Sequence, residues 1–344
     1  MIRRTLIFLF FLVIGIALFI SVILDTGLEA IADSLYSFSL INFVFLVIVS
    51  LLNFCLFTLR WNVIIRHHDK ENLIPLYRLF MHRMTAFAVS YLTPAAQTGG
   101  EPVRVFFLQE EGISTRNAVS SVVLDKIFEY TALFIFIVSG VFVAILKGSI
   151  FSGKIELVLC GTILLFAGLI FWFYYSTVKE IGFFSSILRF TRLNRIKRIA
   201  KYEQGIIRVE TKMAYFYKNH IGQFIFLMLI SFVMVFFMVF EHYLIARFLG
   251  VHLSFLQSFL TATIPGISYI IPVPGALGML EGSHAAIFTV LGVSINVFVF
   301  VLIIRLRDLV FIGIGIVHAS RYGIKMIYKN VAKGIIPKNT ESNI

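Results

Sequence analysis

The sequence predicts an all-α polytopic membrane protein with two inverted structural repeats, each containing a re-entrant broken-helix hairpin. Hydrophobic residues make up 59% of the 344 residues and charged residues only 14%, whereas soluble domains average roughly 25% charged. Apolar runs long enough to cross a bilayer recur along the chain, and two segments rich in proline and glycine interrupt them. We therefore expect about six membrane crossings plus two hairpins that enter the membrane without crossing it.

The first apolar run, residues 5–24, follows two arginines and is long enough to cross a hydrocarbon core of about 30 Å. A cleaved signal peptide is the alternative, but its apolar core would span only about 7–15 residues. We therefore expect a first transmembrane helix and its outer connection in residues 1–38, with a cytoplasmic N-terminus. The second span, residues 39–59, is expected to end at Arg60, Arg66 and Lys70 and to return the chain to the cytoplasm.

The next apolar stretch, residues 74–93, contains two arginines and a histidine, so a full crossing there would bury charge at about a few kcal/mol each. A re-entrant hairpin over residues 74–112 costs less. It breaks after Pro94, and its second half-helix begins at Pro102, because proline suits the first turn of a helix. The hairpin and its flanking helices form the first repeat, residues 39–146.

Residues 147–219 are expected to form a linking span and a basic cytoplasmic segment. From residue 176 onward this region holds ten lysines and arginines against three glutamates. Apolar residues recur in it at helical spacing, namely Ile187, Phe190, Leu193 and Ile196. This pattern predicts a basic amphipathic helix on anionic headgroups within residues 179–218. A solvated cytoplasmic loop is the alternative, and it places the segment on the same side.

The second repeat, residues 220–320, follows the same order as the first. One span crosses outward, a re-entrant hairpin occupies residues 253–292, and the last span, residues 295–318, returns inward. Basic residues then hold the tail, residues 321–344, in the cytoplasm. The span before the first hairpin runs inward and the span before the second runs outward, so the two halves are expected to be inverted copies.

The landmarks of the two hairpins support an internal duplication. The first copy has Pro94, Glu101, Gly112-Ile113-Ser114 and Asp125, and the second has Pro274, Glu281, Gly292-Val293-Ser294 and Arg305. Corresponding landmarks are separated by the same distance along the chain, which a duplication explains better than coincidence. Inverted repeats with broken helices are typical of alternating-access transporters, whose binding site lies near the membrane midplane between the repeats.

These segments also carry a resemblance to a known family. A Gly-Gly-Glu-Pro-x-Arg segment ending at Arg104 is paired with a Pro-Gly-x-x-Gly-x-x-Glu-Gly segment beginning at Pro274. The combination resembles the lysylphosphatidylglycerol synthase transmembrane region, or flippase-like, family over nearly the whole chain. Lys126 follows Asp125 where that family usually has arginine, so the charge is kept and the fork geometry for phosphate is lost.

The resemblance implies a flippase-like transporter in the cell membrane. Its substrate would be an anionic phospholipid or a polyprenyl-phosphate-linked glycolipid that moves between leaflets. One alternative is the membrane part of an aminoacyl-phospholipid synthase system, and another is an ion or small-solute secondary transporter. Family members that make aminoacyl lipids append a large soluble catalytic domain, whereas few residues follow Arg321 here. We therefore expect no enzymatic activity.

The candidate substrate-binding residues are the charges and helix breakers of the hairpins and of the helices that follow. They are Pro94, Gly99, Gly100, Glu101, Arg104, Lys126, Pro274, Gly275, Gly278, Glu281 and Arg305. Arginine suits a phosphate because its guanidinium donates two parallel hydrogen bonds. For Glu101 and Glu281, capping of the following half-helix is the alternative. Arg104 is close enough to Glu101 for an intrahelical pair; if Glu101 engages the other repeat, Arg104 is free for a headgroup.

Four residues are possible coupling groups, namely Asp125, Glu241, His242 and His284. Asp125 and Arg305 have opposite charges at equivalent positions, which predicts a salt bridge between the repeats. We expect Lys126, Glu129, Arg307 and Asp308 to extend this charged layer, at least half of them as structural pairs or interface residues. The histidines beside glutamates suggest a proton relay, and hydrogen-bonded structural histidines are the alternative.

The sequence indicates neither a cofactor nor a metal, because it contains no metal-ligand spacing, nucleotide-binding glycine loop or nucleophile elbow. The net charge of +12 is explained by the positive-inside rule rather than by nucleic-acid binding. Cys55 and Cys160 lie within apolar spans and are expected to be packing residues. The sequence does not predict an oligomeric state.

Overall fold

Every regular secondary-structure element in the residues that the computed structural model describes is a helix. These residues are Glu29, the ranges 38–68, 73–93, 98–146, 153–192, residue 195, and the ranges 197–270 and 273–332. The predicted first span, residues 5–24, lies outside them, as do Pro94 and residues 333–344 of the predicted tail.

Eleven α-helices occur in the described part of the chain. They are α1 (Leu40–His68), α2 (Leu76–Leu92), α3 (Glu101–Glu110), α4 (Thr115–Leu146), α5 (Gly153–Val178), α6 (Phe183–Phe190), α7 (Lys197–Asn219), α8 (Ile221–Phe248), α9 (Phe255–Thr263), α10 (Met279–Val290) and α11 (Val297–Ala332). Two short 3₁₀ helices, Pro265–Ile270 and Pro274–Ala276, lie between α9 and α10.

Helices α1 and α8 are each long and apolar enough to cross a membrane, with a mean hydropathy of 2.6, and they pack against each other. Helix α1 extends past the predicted span of residues 39–59 and ends between Arg66 and Lys70, two of the three cations expected at its cytoplasmic end. Trp61, Ile64 and Ile65 continue its buried apolar face, so the helix extends to His68. Arg60 is therefore inside the protein, with no exposed surface. The count of six crossings stays a prediction.

The first hairpin consists of α2 and α3, which pack against each other. Its second half-helix begins beside Pro102, as predicted. Glu111, at the end of α3, connects this helix to the first half of α2, because its carboxylate contacts Arg78 at 3.0 Å and His82 at 3.2 Å. At the near end the amide of Gly100 donates to the hydroxyl of Ser90 at 2.8 Å. A Cβ at Gly100 would lie 1.9 Å from the Ala86 carbonyl oxygen, so this close approach requires glycine.

The second hairpin is more irregular than the sequence predicted. Helix α9 starts at a capping box of Ser254 and Gln257, but it ends at Thr263, well before the expected residue 270. Pro265 has no N–H group, so the α-helical hydrogen bond at that position cannot form. The chain continues through the two 3₁₀ helices, and Glu281 lies in the first turn of α10 rather than in the break.

The two halves of the chain contain helices in the same order, α1 to α4 and α8 to α11. Gly112 ends α3 and Gly292 ends α10, both with a positive φ, 90° and 63° respectively. The same pair of backbone hydrogen bonds surrounds each glycine. Each hairpin also packs on the long helix of the other half, because α2 contacts α11 and α9 contacts α4.

The basic segment forms two helices, α6 and α7. Ile187 and Phe190 of the predicted amphipathic pattern lie in α6, while Leu193 and Ile196 lie outside the described residues. Glu210 of α7 holds the start of α6, since its carboxylate accepts hydrogen bonds from the amides of Phe184 at 2.5 Å and Ser185 at 3.2 Å.

Candidate functional site

Three arginines converge on one buried carboxylate in the first half of the protein. Asp125 of α4 accepts hydrogen bonds from Nε of Arg60 at 2.8 Å, Nη1 of Arg83 at 3.0 Å and Nη2 of Arg104 at 2.6 Å. The arginines come from α1, α2 and α3, so this carboxylate joins four helices. Its side chain is 0% exposed, which makes these charge-assisted hydrogen bonds stronger than they would be in water.

A second layer of charges surrounds Asp125. Lys126 contacts Glu101 at 3.3 Å and Glu129 at 3.2 Å, and Arg104 contacts Glu101 at 3.0 Å. We call the following residues the first charge network: Arg60, Arg83, Glu101, Arg104, Asp125, Lys126 and Glu129. It contains four cations and three carboxylates, a formal excess of one positive charge. Lys126, Glu101 and Glu129 are 19%, 20% and 25% exposed, so the network is accessible along this edge.

Aromatic rings support the arginines of the first charge network. The guanidinium carbon of Arg104 lies 4.1 Å from the centre of the Trp61 ring, and that of Arg83 lies 4.6 Å from the centre of Phe57. Such cation–π contacts hold the guanidinium planes in place. Among the described residues, Nη2 of Arg60 and Nε of Arg104 have no hydrogen-bond acceptor. Oε2 of Glu129 lies 3.6 Å from Nη2 of Arg60 and likewise has no hydrogen-bond partner among the described residues, so the network holds an unsatisfied acceptor as well as unsatisfied donors.

Arg305 and Glu281 form the corresponding centre in the second half. Two parallel hydrogen bonds join their side chains, at 2.7 and 2.9 Å. Arg305 also donates to the Tyr91 hydroxyl at 3.1 Å and to the Gly275 carbonyl at 3.0 Å. Since Tyr91 is at the end of α2, the first hairpin contacts the centre of the second. Gly275 has a φ of 57°, and a Cβ there would lie 2.5 Å from the Tyr91 ring.

Arg307, two residues after Arg305 on α11, forms ion pairs with two further carboxylates. It contacts Asp308 at 2.8 Å and also pairs with Glu241 of α8. We call the following residues the second charge network: Glu241, Glu281, Arg305, Arg307 and Asp308. It contains three carboxylates and two cations, a formal excess of one negative charge. Among the four residues expected to extend the charged layer, Lys126 pairs with Glu129 and Arg307 pairs with Asp308.

The predicted salt bridge between Asp125 and Arg305 is wrong. Asp125 faces Arg60, Arg83 and Arg104, whereas Arg305 faces Glu281. Each of the two equivalent residues points toward the hairpin of its own half, so the residues do not meet. Arg104 likewise contacts only carboxylates of the first half among the described residues.

The glutamates of the hairpins do not cap the helices that follow them. Gly100 and Gly278 occupy the cap positions of α3 and α10, and neither helix has a side-chain cap. Glu101 instead pairs with Arg104 and Lys126, and both oxygens of Glu281 bind Arg305. Neither glutamate therefore caps its helix through a side-chain hydrogen bond, whereas both lie in the first turn, where a negative charge favours the helix dipole.

His242 and His284, the two histidines proposed as coupling groups, contact each other and their own helices. The rings of His242 and His284 stack with their centres 5.7 Å apart. Nδ1 of His242 bonds to the Met238 carbonyl, and Nδ1 of His284 bonds to the Leu280 carbonyl, both at 2.9 Å. This is the hydrogen-bonded structural arrangement, and the proton relay stays a prediction. Of the other candidates, Pro274 starts a 3₁₀ helix, Gly99 lies in the turn before α3, and Pro94 lies outside the described residues.

Sequence reasoning missed three residues of the site, Arg60, Arg83 and Tyr91. Arg60 is the first of three cations that predict the cytoplasmic end of a span, although the apolar pattern continues for several residues beyond it. That continuation was the available signal. Arg83 was interpreted as a cation that prevents a crossing. No local pattern distinguishes Tyr91 from a packing residue, because its partner Arg305 is distant in the sequence.

The helices and the two buried charge networks define a helical membrane protein with ionised groups held at broken helices. The chain belongs to the lysylphosphatidylglycerol synthase transmembrane region family, whose sequence profile matches residues 7–315. This confirms the resemblance carried by the hairpin motifs.

Two relatives share most of their length with the chain. A UPF0104 membrane protein of Methanothermobacter thermautotrophicus is 25% identical over 299 residues, which cover 83% of this chain and 86% of the relative. A UPF0104 membrane protein of Pyrococcus horikoshii is 24% identical over 268 residues, which cover 72% and 78% respectively. No solved structure matches the chain significantly.

Proposed function

We propose that this protein is a flippase-like lipid transporter that moves an anionic phospholipid or a polyprenyl-phosphate-linked glycolipid between membrane leaflets. The observation that carries the proposal is the excess positive charge of the first charge network. An uncompensated charge is costly in a low-dielectric interior. A phosphate with one negative charge would neutralise this excess. The partly exposed edge formed by Glu101, Lys126 and Glu129 is where a headgroup would reach it.

Binding at this edge would use cations that are already in place rather than create a new charged site. Lys126 and Arg104 both contact Glu101 in the present state. A phosphate that shares these two cations with Glu101 would add the one negative charge that the network lacks and leave no group unpaired, so the lipid-bound and lipid-free states would be close in free energy. A carrier requires such a balance, because it has to release its substrate as well as bind it.

The proposed architecture is a pair of inverted repeats with re-entrant hairpins. The matching order of helices and the packing of each hairpin on the opposite long helix support this arrangement. The alternation of basic and acidic connections along the sequence supports opposite orientations for the two halves. The same proposal places a multi-pass chain in the plasma membrane with both termini in the cytoplasm.

A second candidate is the membrane part of an aminoacyl-phospholipid synthase system, which the description of the family favours. In that case the chain would move, without chemistry of its own, a lipid that another polypeptide has aminoacylated. The observation that separates the two candidates is the substrate. A transporter for plain anionic lipids moves phosphatidylglycerol, whereas the synthase partner would discriminate against it in favour of the aminoacylated form.

The proposal is tested by reconstitution of the purified protein in liposomes. Fluorescent phosphatidylglycerol in the inner leaflet is protected from a membrane-impermeant quencher until it moves outward. We expect faster movement than in protein-free liposomes and faster movement than for phosphatidylcholine. Equal rates with and without protein would contradict the proposal.

Labelling of single cysteines tests the orientation of the hairpins in a variant without Cys55 and Cys160. Suitable positions are Thr98 in the first hairpin and Leu277 in the second. Leu277 is chosen instead of its neighbour Ala276, because Ala276 is only 1% exposed. We expect labelling from opposite sides of the membrane. Labelling of both positions from one side would refute the inverted arrangement.

A further inference from the structure

A groove among the described residues is lined by none of the residues of the two charge networks. It has a volume of about 920 Å³ and is formed by the start of α4, by α6 and by α7. This volume is at the upper end of the range of about 300–1,000 Å³ typical of ligand sites. Its floor is apolar, with Val119 and Val123 of α4 facing Ile206 and Val209 of α7.

The lining of the groove is positively charged. Arg116, Arg208 and Lys212 belong to it, and it contains no carboxylate. Ser114 and Thr115, at the N-terminus of the 32-residue helix α4, also line the groove. The start of a helix attracts anions, and here the Ser114 hydroxyl accepts a hydrogen bond from the Asn117 amide at 3.4 Å. Cations and a helix N-terminus thus line the same groove as the apolar residues.

The border of the groove suits a membrane surface. Phe184 of α6 lines the groove, and Phe190 at the end of the same short helix is 89% exposed. A large aromatic side chain with this exposure is favourable beside acyl chains and unfavourable in water. The apolar face of α6 therefore indicates that the groove opens to lipid rather than to the solvent alone.

We propose that this groove binds one anionic phospholipid of the cytoplasmic leaflet, with an acyl chain along its apolar floor and the phosphate between Arg116, Arg208 and the start of α4. The lipid would fix α6 and α7 against α4. The inference uses the cytoplasmic side assigned to the basic segment under the proposed function, but it does not depend on translocation. This lipid stays bound, so its loss and the loss of transport are separate outcomes.

Gly205 of α7 provides the sharpest test. It lines the groove, and a Cβ built on it would have no atom within 4 Å. Gly205→Leu therefore places an apolar side chain at the groove whose Cβ meets no other atom, and it replaces a poor helix former by a good one. Gly222→Leu in α8 is the matched control, because its Cβ would also meet open space and it lies outside the groove.

The measurement is native mass spectrometry of the full-length protein in detergent, titrated with phosphatidylglycerol or phosphatidylcholine. We expect one tightly bound phosphatidylglycerol to be lost in Gly205→Leu and retained in Gly222→Leu. Arg116→Gln combined with Arg208→Gln should weaken its binding about thirtyfold, at about fivefold for each cation. Lys179→Gln combined with Arg321→Gln removes the same charge from exposed positions outside the groove and should leave binding unchanged.

Three outcomes would overturn the inference. One is equal retention of phosphatidylcholine and phosphatidylglycerol, and another is an equal loss of binding in the two double variants, which would indicate diffuse electrostatics. The third is displacement of the bound lipid by millimolar inorganic phosphate, which would indicate a site for a free anion. Lys126→Gln should leave this lipid in place, so a failed transport proposal would not remove it.

Discussion

Replacement of Asp125 by asparagine is expected to destabilise the protein by about 3–5 kcal/mol, the usual cost of removing one partner from a buried ion pair. The carboxylate accepts three hydrogen bonds of 2.6 to 3.0 Å and has no exposed surface. Asparagine keeps the shape and loses the charge. The first charge network would then have an excess of two positive charges instead of one.

The assay is the free energy of unfolding of the full-length protein in mixed micelles, followed by circular dichroism. The matched control is Glu180→Gln, which removes a carboxylate from an exposed pair with Lys218. Pairs at exposed positions contribute only about 0–1 kcal/mol. We therefore expect a large loss for Asp125→Asn and a small one for the control.

A second variant separates charge balance from lost hydrogen bonds. Arg83→Gln added to Asp125→Asn restores the excess to one positive charge, so the double variant should recover part of the lost stability. A loss below about 1 kcal/mol for Asp125→Asn alone would refute the reasoning. So would strictly additive effects of the two substitutions, because residues in one network are expected to be coupled.

Three other predictions concern local contacts. Gly275→Ala should cost about 1–3 kcal/mol in stability, because alanine is strained at a φ of 57° and meets the Tyr91 ring. Adding Tyr91→Ala should restore only the part of this loss that is due to the clash. Full stability of Gly275→Ala would contradict the prediction. Tyr91→Phe should cost about 1.5–3 kcal/mol, because it removes a hydrogen bond from the charged guanidinium of Arg305. Thermal unfolding measures this loss, and no change would show that the hydroxyl is dispensable. Glu210→Ala should expose the amides of α6 to faster hydrogen exchange, since its carboxylate accepts from Phe184 and Ser185; unchanged exchange would exclude this cap.

The sequence predicts the helices well where strong local signals mark them. The apolar run of α8 and the proline at the start of α3 locate those elements closely. The second helix of the first hairpin begins beside Pro102, because proline is favoured in the first turn of a helix. The sequence predicts a shorter second break than the structure has. Helix α9 ends at Thr263, just before Pro265, and the apolar pattern by itself does not mark this end.

The partners of the charged residues were harder to predict than the helices. Spacing alone identifies Asp125 and Arg305 as equivalent positions, but it does not show which way each side chain faces. Three helices contribute the arginines around Asp125, and two of these arginines, Arg60 and Arg83, lie far from it in sequence. Long-range packing decides such contacts, so the charge balance of each network emerges only in three dimensions.

The central claim is that the excess cation of the first charge network recognises a lipid phosphate. The most direct measurement is the initial rate of phosphatidylglycerol translocation in liposomes for the wild type, Lys126→Arg and Lys126→Gln at equal protein content. Lys126→Arg keeps the charge excess and should keep the rate. Lys126→Gln makes the network neutral and should lower the rate about thirtyfold or more, because losing one partner of a buried charge pair costs about 2–5 kcal/mol. A wild-type rate in folded Lys126→Gln would contradict the account.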